Sequence, residues 1–169
     1  MTEKIIYDSL SGNTKELAET IKKERKNAYI EKISNKLTTE IENIEVFYIG
    51  SPIIKGCCTE KITKLLQQLE NKKIFLFFTA GYGESQDYYN TLKERIIKLI
   101  PKTNQIIGTF FCQGKMPESV KERYVELIKE HPEDKKLQVS LQNFEKAKTH
   151  PNNQDKENLI KEINKINLT

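Results

Sequence analysis

Just after the apolar stretch Ile5-Ile6-Tyr7, short hydrogen-bonding side chains crowd together: Ser9, Ser11, Asn13 and Thr14, around Gly12. An amphipathic stripe of Leu17, Ala18 and Ile21 begins directly afterwards. Two chemistries suit that grouping. One such residue caps a helix by accepting a first-turn N–H. Several of them, set before the positive end of a helix dipole, can curl around an anion together with the free backbone N–H groups. A cap needs one hydroxyl or amide, and this stretch supplies several, which favours a phosphate. Lys15 is the only cation close by. Hydrogen bonds therefore do most of the holding, and a single terminal phosphate fits better than a triphosphate. A nucleotide P-loop needs GxxxxGK[ST], and Gly12-Asn13-Thr14-Lys15 lacks its second glycine and its spacing. The dinucleotide pattern GxGxxG is also absent.

Other segments could complete a pocket. Gly50-Ser51-Pro52-Ile53-Ile54-Lys55-Gly56 combines glycine, proline and two apolar residues. It is either an ordinary strand-to-helix turn or a rigid loop that lays Ile53 or Ile54 against a flat ligand. In Thr79-Ala80-Gly81-Tyr82-Gly83-Glu84 a tyrosine sits between glycines. The glycines let backbone approach a ligand, and the ring offers a stacking face. Cys112-Gln113-Gly114-Lys115-Met116-Pro117 ends a further apolar run. Cys112 is a packing residue or a redox nucleophile. A phosphatase loop would need arginine where Glu118 stands.

The elements that place these segments alternate. Strands are expected at 4–8, 28–33, 45–51, 73–79 and 105–112, with near-continuous apolar runs in the last three, as in strands buried on both faces. Helical stripes lie between and after them: Ile62, Leu65, Leu66, Leu69; Leu92, Ile96, Leu99, Ile100; and Val120, Tyr124, Leu127, Ile128. The alternation predicts an α/β protein with a parallel sheet and helices on both faces. In such a sheet ligands bind outside the carboxyl ends of the strands, where the segments above fall. From Glu133 the chain turns polar, with a weak pattern at Leu137, Leu141 and Phe144, before a last stripe of Leu159, Ile160, Ile163 and Ile166 that could pack on the sheet. We expect one domain over 1–169, a core over 1–131 and a helical extension over 132–169.

Composition narrows the function classes. With 169 residues and 37% hydrophobic content, the chain can bury a sizeable core. Net charge is +4, yet the arginines are only Arg25, Arg95 and Arg123, a poor footprint for nucleic acid. Cys57, Cys58 and Cys112 make no disulfide framework, and His131 and His150 have no cysteine at metal-ligand spacing. No run spans a bilayer and the first residues carry no signal-peptide core, so a cytoplasmic protein is expected, without metal, membrane or nucleic-acid partner.

Residues 4–112 resemble the flavodoxin family. Its phosphate loop, Ser/Thr-x-Thr/Ser-Gly-x-Thr, is matched by Ser9-Leu10-Ser11-Gly12-Asn13-Thr14. The resemblance implies a doubly wound five-stranded sheet of order 2-1-3-4-5 and a bound FMN. It implies flavin walls at Ser51, Pro52, Ile53, Ile54 or Lys55 on one side and at Thr79, Ala80, Gly81, Tyr82 and Gly83 on the other. Tyr82 would lie against the outer flavin face, and Gly56 would be the site of a backbone flip near flavin N5. The implied function is single-electron transfer between redox partner proteins, a reductase and an acceptor, by a monomer. The fifth exit and His150-Pro151 resemble a subgroup of bacterial flavodoxin-like proteins, some associated with reductases such as the bilirubin reductase. Unlike the usual acidic members, this chain is mildly basic. Alternatives on related folds are a flavin-dependent NAD(P)H:quinone or azo reductase and a flavin-free interaction module. A phosphoaccepting receiver could use Asp8, but it would need an aspartate where Gly50-Ser51 stands.

Overall fold

The structure, a computed structural model, describes residues 1–34, 41–83 and 85–166. Glu84, at the end of the fourth exit, lies outside them. The apolar stretches form β1 (Glu3–Tyr7), β2 (Tyr29–Lys32), β3 (Val46–Pro52), β4 (Lys73–Ala80) and β5 (Gln105–Gln113). All pair in parallel, in the order β2-β1-β3-β4-β5. This is the expected fold class. The chain steps one way from β1 to β2 and the other way from β3 onward, so the crevice opens at the ends of β1 and β3.

Alternation along each buried strand feeds two cores. β4 sends Ile74, Leu76 and Phe78 to one face, where α2 (Glu60–Gln68) and α3 (Gln86–Ile97) bring Ile62, Leu65, Leu66 and Ile96. It sends Phe75 and Phe77 to the other, where α1 (Asn13–Glu24) and α6 (Asn153–Asn164) bring Leu17, Ala18, Ile21, Leu159 and Ile163. The large rings on this second face lie across glycines in register: Phe77 opposite Gly50 and Phe75 opposite Gly108. A Cβ at either glycine would run into the facing ring. Each ring contributes about 2–3 kcal/mol by leaving water.

Packing divides the C-terminal third differently from its polarity. Leu159 and Ile163 of α6 are fully buried in the second core. By contrast, α4 (Glu118–Glu130) buries no residue fully and pairs with α5 (Lys135–Ala147), which buries Phe144 and Ala147. Lys121 of α4 and Glu145 of α5 form an ion pair at 3.0 Å across this hairpin. The final helix thus packs as a layer of the core, whereas α4 packs mainly on α5, in a hairpin beside the exit of β5.

Candidate functional site at the strand exits

The start of α1 is left open by its own sequence. Its N-cap is Gly12, at φ +90°, which has no side chain with which to cap the helix. That conformation favours glycine, yet a Cβ there would meet no protein atom within 4 Å. The space before the loop is therefore empty of protein. Ser9 Oγ accepts from the N–H of Gly12 at 3.2 Å and of Lys15 at 3.3 Å, a partial cap from outside the helix. The N–H groups of Asn13 and Thr14 find no acceptor among the described residues. Asn13 is 6% exposed and donates through Nδ2 to Ser11 Oγ and to the Lys115 carbonyl at 2.9 Å. Its Oδ1 is buried without a partner, and turning the amide over would only set two acceptors face to face. Uncapped amides, a glycine facing open space and an orphaned buried acceptor together suit a ligand that carries a phosphate and donors of its own.

Hydrogen bonds lock the exits to one another. The hydroxyls of Thr14 and Thr79 meet at 2.9 Å, joining the exits of β1 and β4. The Ile53 N–H donates to the Thr79 carbonyl at 2.8 Å, joining those of β3 and β4. Ser51 faces its own loop: its hydroxyl donates to the Pro52 carbonyl and accepts from the Thr59 N–H. Beyond it Ile54 and Cys57 exchange two backbone hydrogen bonds around Lys55 and Gly56, at φ 50° and 76°. This is the tight turn whose two central residues both need left-handed backbone. The guanidinium of Arg95 on α3 donates to the Gly56 carbonyl at 2.6 Å and holds the turn from outside.

At the fourth exit the Gly81 carbonyl accepts from Gln113 Nε2 at 2.9 Å and from Asn143 Nδ2 at 3.0 Å. Gln113 Nε2 also donates to Asn143 Oδ1 at 2.9 Å. Tyr82 stands 52% exposed, its ring edge-on to Tyr88 at 5.2 Å. The fifth exit closes the remaining side. The Lys115 N–H donates to the His150 carbonyl at 2.9 Å, and Met116 packs against Gly81.

These exits enclose a cleft of about 210 Å³. Of the expected residues, Leu10, Ser11, Asn13, Pro52, Ile53, Thr79, Ala80 and Gly81 line it. Ser9, Gly12, Thr14, Ser51, Ile54, Gly56, Tyr82 and Gly83 belong to the same exit loops but are not part of this lining. Gly114, Lys115, Met116 and Pro117, which the sequence offered as a strand exit without assigning them a binding role, complete the lining. Their signal in the sequence was position alone: they leave a strand on the same edge of the sheet. Cys112 does not supply a nucleophile. It is 3% exposed within the second core, and burial, aided by the carboxylates of Asp155 and Glu16, holds its thiol pKa well above the ordinary value. The cleft thus combines polar residues of the β1 exit with the apolar side chains of Pro52, Ile53, Met116 and Pro117.

Comparison with known proteins agrees with this architecture. Residues 4–164 match the family model described as the flavodoxin domain. A flavodoxin-like domain-containing protein BilS from Clostridioides difficile (strain CD3) is 36% identical over 158 residues, covering 92% of this chain and 90% of its own. The protein of the same name from Clostridium symbiosum (strain WAL-14163) is 29% identical over 167 residues, 89% of this chain and 88% of that one. In three dimensions the flavoprotein of Lactobacillus acidophilus, solved in complex with FMN, matches with a TM-score of 0.52 at 21% identity, over 72% of this chain and 97% of that one. That likeness speaks to the fold. With nearly its whole length matched in sequence and its strand order in space, the chain belongs to the flavodoxin family.

Proposed function

We propose that the chain binds FMN at the strand exits and carries single electrons between partner proteins. The observation that carries this reading is the start of α1, where the Asn13 and Thr14 amides have no acceptor among the described residues and the position of a Gly12 Cβ is free of protein atoms. Family membership and the FMN held by the Lactobacillus acidophilus flavoprotein support it.

In this reading Ser9, Leu10, Ser11, Gly12, Asn13 and Thr14 surround the phosphate, with Ser11 and the backbone amides as donors. The apolar residues Pro52 and Ile53 form one wall for the ring, with Ser51, Ile54 and Gly56 behind them. Thr79, Ala80, Gly81, Tyr82 and Gly83 form the other. Met116 and Pro117 keep water from the side nearest β5. FMN, when bound, supplies the redox chemistry, and no side chain need act as acid, base or nucleophile. The protein's part is to hold the ring in a poorly solvated cleft and leave one edge open to a partner. The resemblance of the fifth exit and His150-Pro151 to a subgroup of bacterial flavodoxin-like proteins points to a reductase of the bilirubin-reductase kind as the partner class.

The visible spectrum of the purified full-length chain tests the reading. A yellow protein that bleaches on dithionite, or a colourless one that takes up added FMN, is expected. A colourless protein that takes up none would overturn it. Rapid NADPH oxidation by the chain alone would move it to the reductases.

A further inference from the structure

The two edges of the sheet are managed differently. β2 is only four residues long, and its Glu31 carboxylate is tied to Lys4 at 2.7 Å. β5 is nine residues long, and among the described residues only β4 pairs with it. In a parallel pair, residues alternately turn both backbone groups toward and away from the neighbour. The Gly114 N–H bonds back to the Ala80 carbonyl, so Cys112 and Phe110 also turn to β4. Thr109 and Phe111 then turn their N–H and C=O groups outward, and neither has another partner among the described residues. A long edge of this kind is a template for another strand unless it is covered.

It is not covered; it is flanked. A groove of about 750 Å³ runs along this edge, with Thr109, Phe110 and Phe111 as its floor. One wall is α3, with Lys93; the other is the end of α6, with Lys161 and Lys165. The wall carboxylate Glu162 is already paired with Lys165, while Lys93 and Lys161 have no ion-pair partner among the described residues. The groove is therefore cationic along both walls. A second copy of this chain meeting it edge to edge would bring like charges together, so self-pairing is disfavoured.

We propose that this groove takes an extended acidic segment of a partner protein, which adds to β5 as a further strand. The outward groups of Thr109 and Phe111 supply the backbone ladder, and Lys93 and Lys161, which flank the edge from opposite faces of the sheet, meet carboxylates on neighbouring residues of the segment. Thr109 and Phe111 lie before the strand exit, so the bound segment leaves the cleft free. The inference does not depend on what that cleft binds.

The test uses the isotope-labelled full chain and a capped synthetic peptide of about seven residues in which pairs of adjacent glutamates separate valines, so that both faces of the added strand carry carboxylates. The amides of Thr109 and Phe111 are expected to shift and to become protected from hydrogen exchange, with binding that weakens as salt rises. The double charge reversal K93E/K161E should lower affinity at least about fivefold. Thr109→Pro, which removes an outward N–H from an edge strand, should abolish the protection. If that variant misfolds, the charge reversal decides alone, because Lys161 is exposed, Lys93 is only half-buried, and neither belongs to a core. Shifts confined to the strand exits, equal binding of a lysine–valine peptide, or self-association of the free chain through β5 would each overturn the proposal.

Discussion

Asn143 and Gly81 are joined by a hydrogen bond across 62 residues of chain: Asn143 Nδ2 donates to the Gly81 carbonyl at 3.0 Å. Gln113 Nε2 donates to the same oxygen and to Asn143 Oδ1, closing a triangle. The hairpin of α4 and α5 is thereby fastened to the loop that is expected to flank the ligand. Replacing Asn143 by leucine leaves the Gly81 carbonyl with one donor and removes an acceptor from Gln113. Such a loss in a part-buried network costs about 1–3 kcal/mol. The expected outcome is faster hydrogen exchange around Gly81 and weaker FMN binding, with the sheet amides unchanged. Exchange measured by NMR checks it, and an unaltered Gly81 region would show that the triangle does not hold the loop.

Gly12 separates a helix cap from a phosphate site. No side chain of the protein stands where its Cβ would go, so Gly12→Ala meets only the backbone penalty at φ +90°. That penalty is roughly 1–2 kcal/mol of stability. If a phosphate sits in that space, the methyl group also collides with it. FMN affinity should then fall at least about tenfold, while riboflavin, which has no phosphate, should lose little. Parallel titrations of both ligands by flavin fluorescence decide the matter. Equal losses would place the phosphate elsewhere.

The cluster from Ser9 to Thr14 was legible because its meaning is local: side chains and helix start lie within one turn of each other. The strands were legible because burial on both faces leaves apolar runs such as Ile74 to Phe78. The Gly81–Gln113–Asn143 triangle was not, since nothing near Asn143 signals a carbonyl so far away in sequence. The stripes of α4 and α6 make the limit plain. Val120, Tyr124, Leu127 and Ile128 show the same period as Leu159 and Ile163, yet only the latter pair is fully buried. Periodicity tells that a helix has an apolar face, but not whether that face meets a sheet or another half-exposed helix.

That difference has a measurable consequence. Leu159→Ala opens a cavity in the core beneath α1 and β5, and a deletion of this kind costs about 2–5 kcal/mol. Leu127→Ala trims a half-buried contact within the hairpin and should cost about 1 kcal/mol or less. Urea denaturation of the two variants compares them directly. Similar losses would mean that α6 is no more part of the core than α4 is.

Buried acidic hydrogens set how the protein responds to alkali. Burial is the main cause lifting the Cys58 thiol from 9.0 to about 11, partly offset by its hydrogen bond with Thr63 and reinforced by neighbouring Cys57. Burial likewise lifts the Tyr48 phenol from 10.0 to about 12, with the Glu3 carboxylate adding to it. In both groups the fold favours the protonated form, so the folded state binds more protons than the unfolded chain once pH exceeds the unfolded pKa. Stability from these groups is therefore complete below about pH 9 and declines as pH rises toward 11 and 12. Urea midpoints measured from about pH 8 upward should fall along that window. In Cys58→Ala the part of the fall between about pH 9 and 11 should shrink, because the titrating thiol is gone while Tyr48 remains. A variant whose midpoint falls as steeply as the parent's over that interval would show that Cys58 does not contribute to the loss.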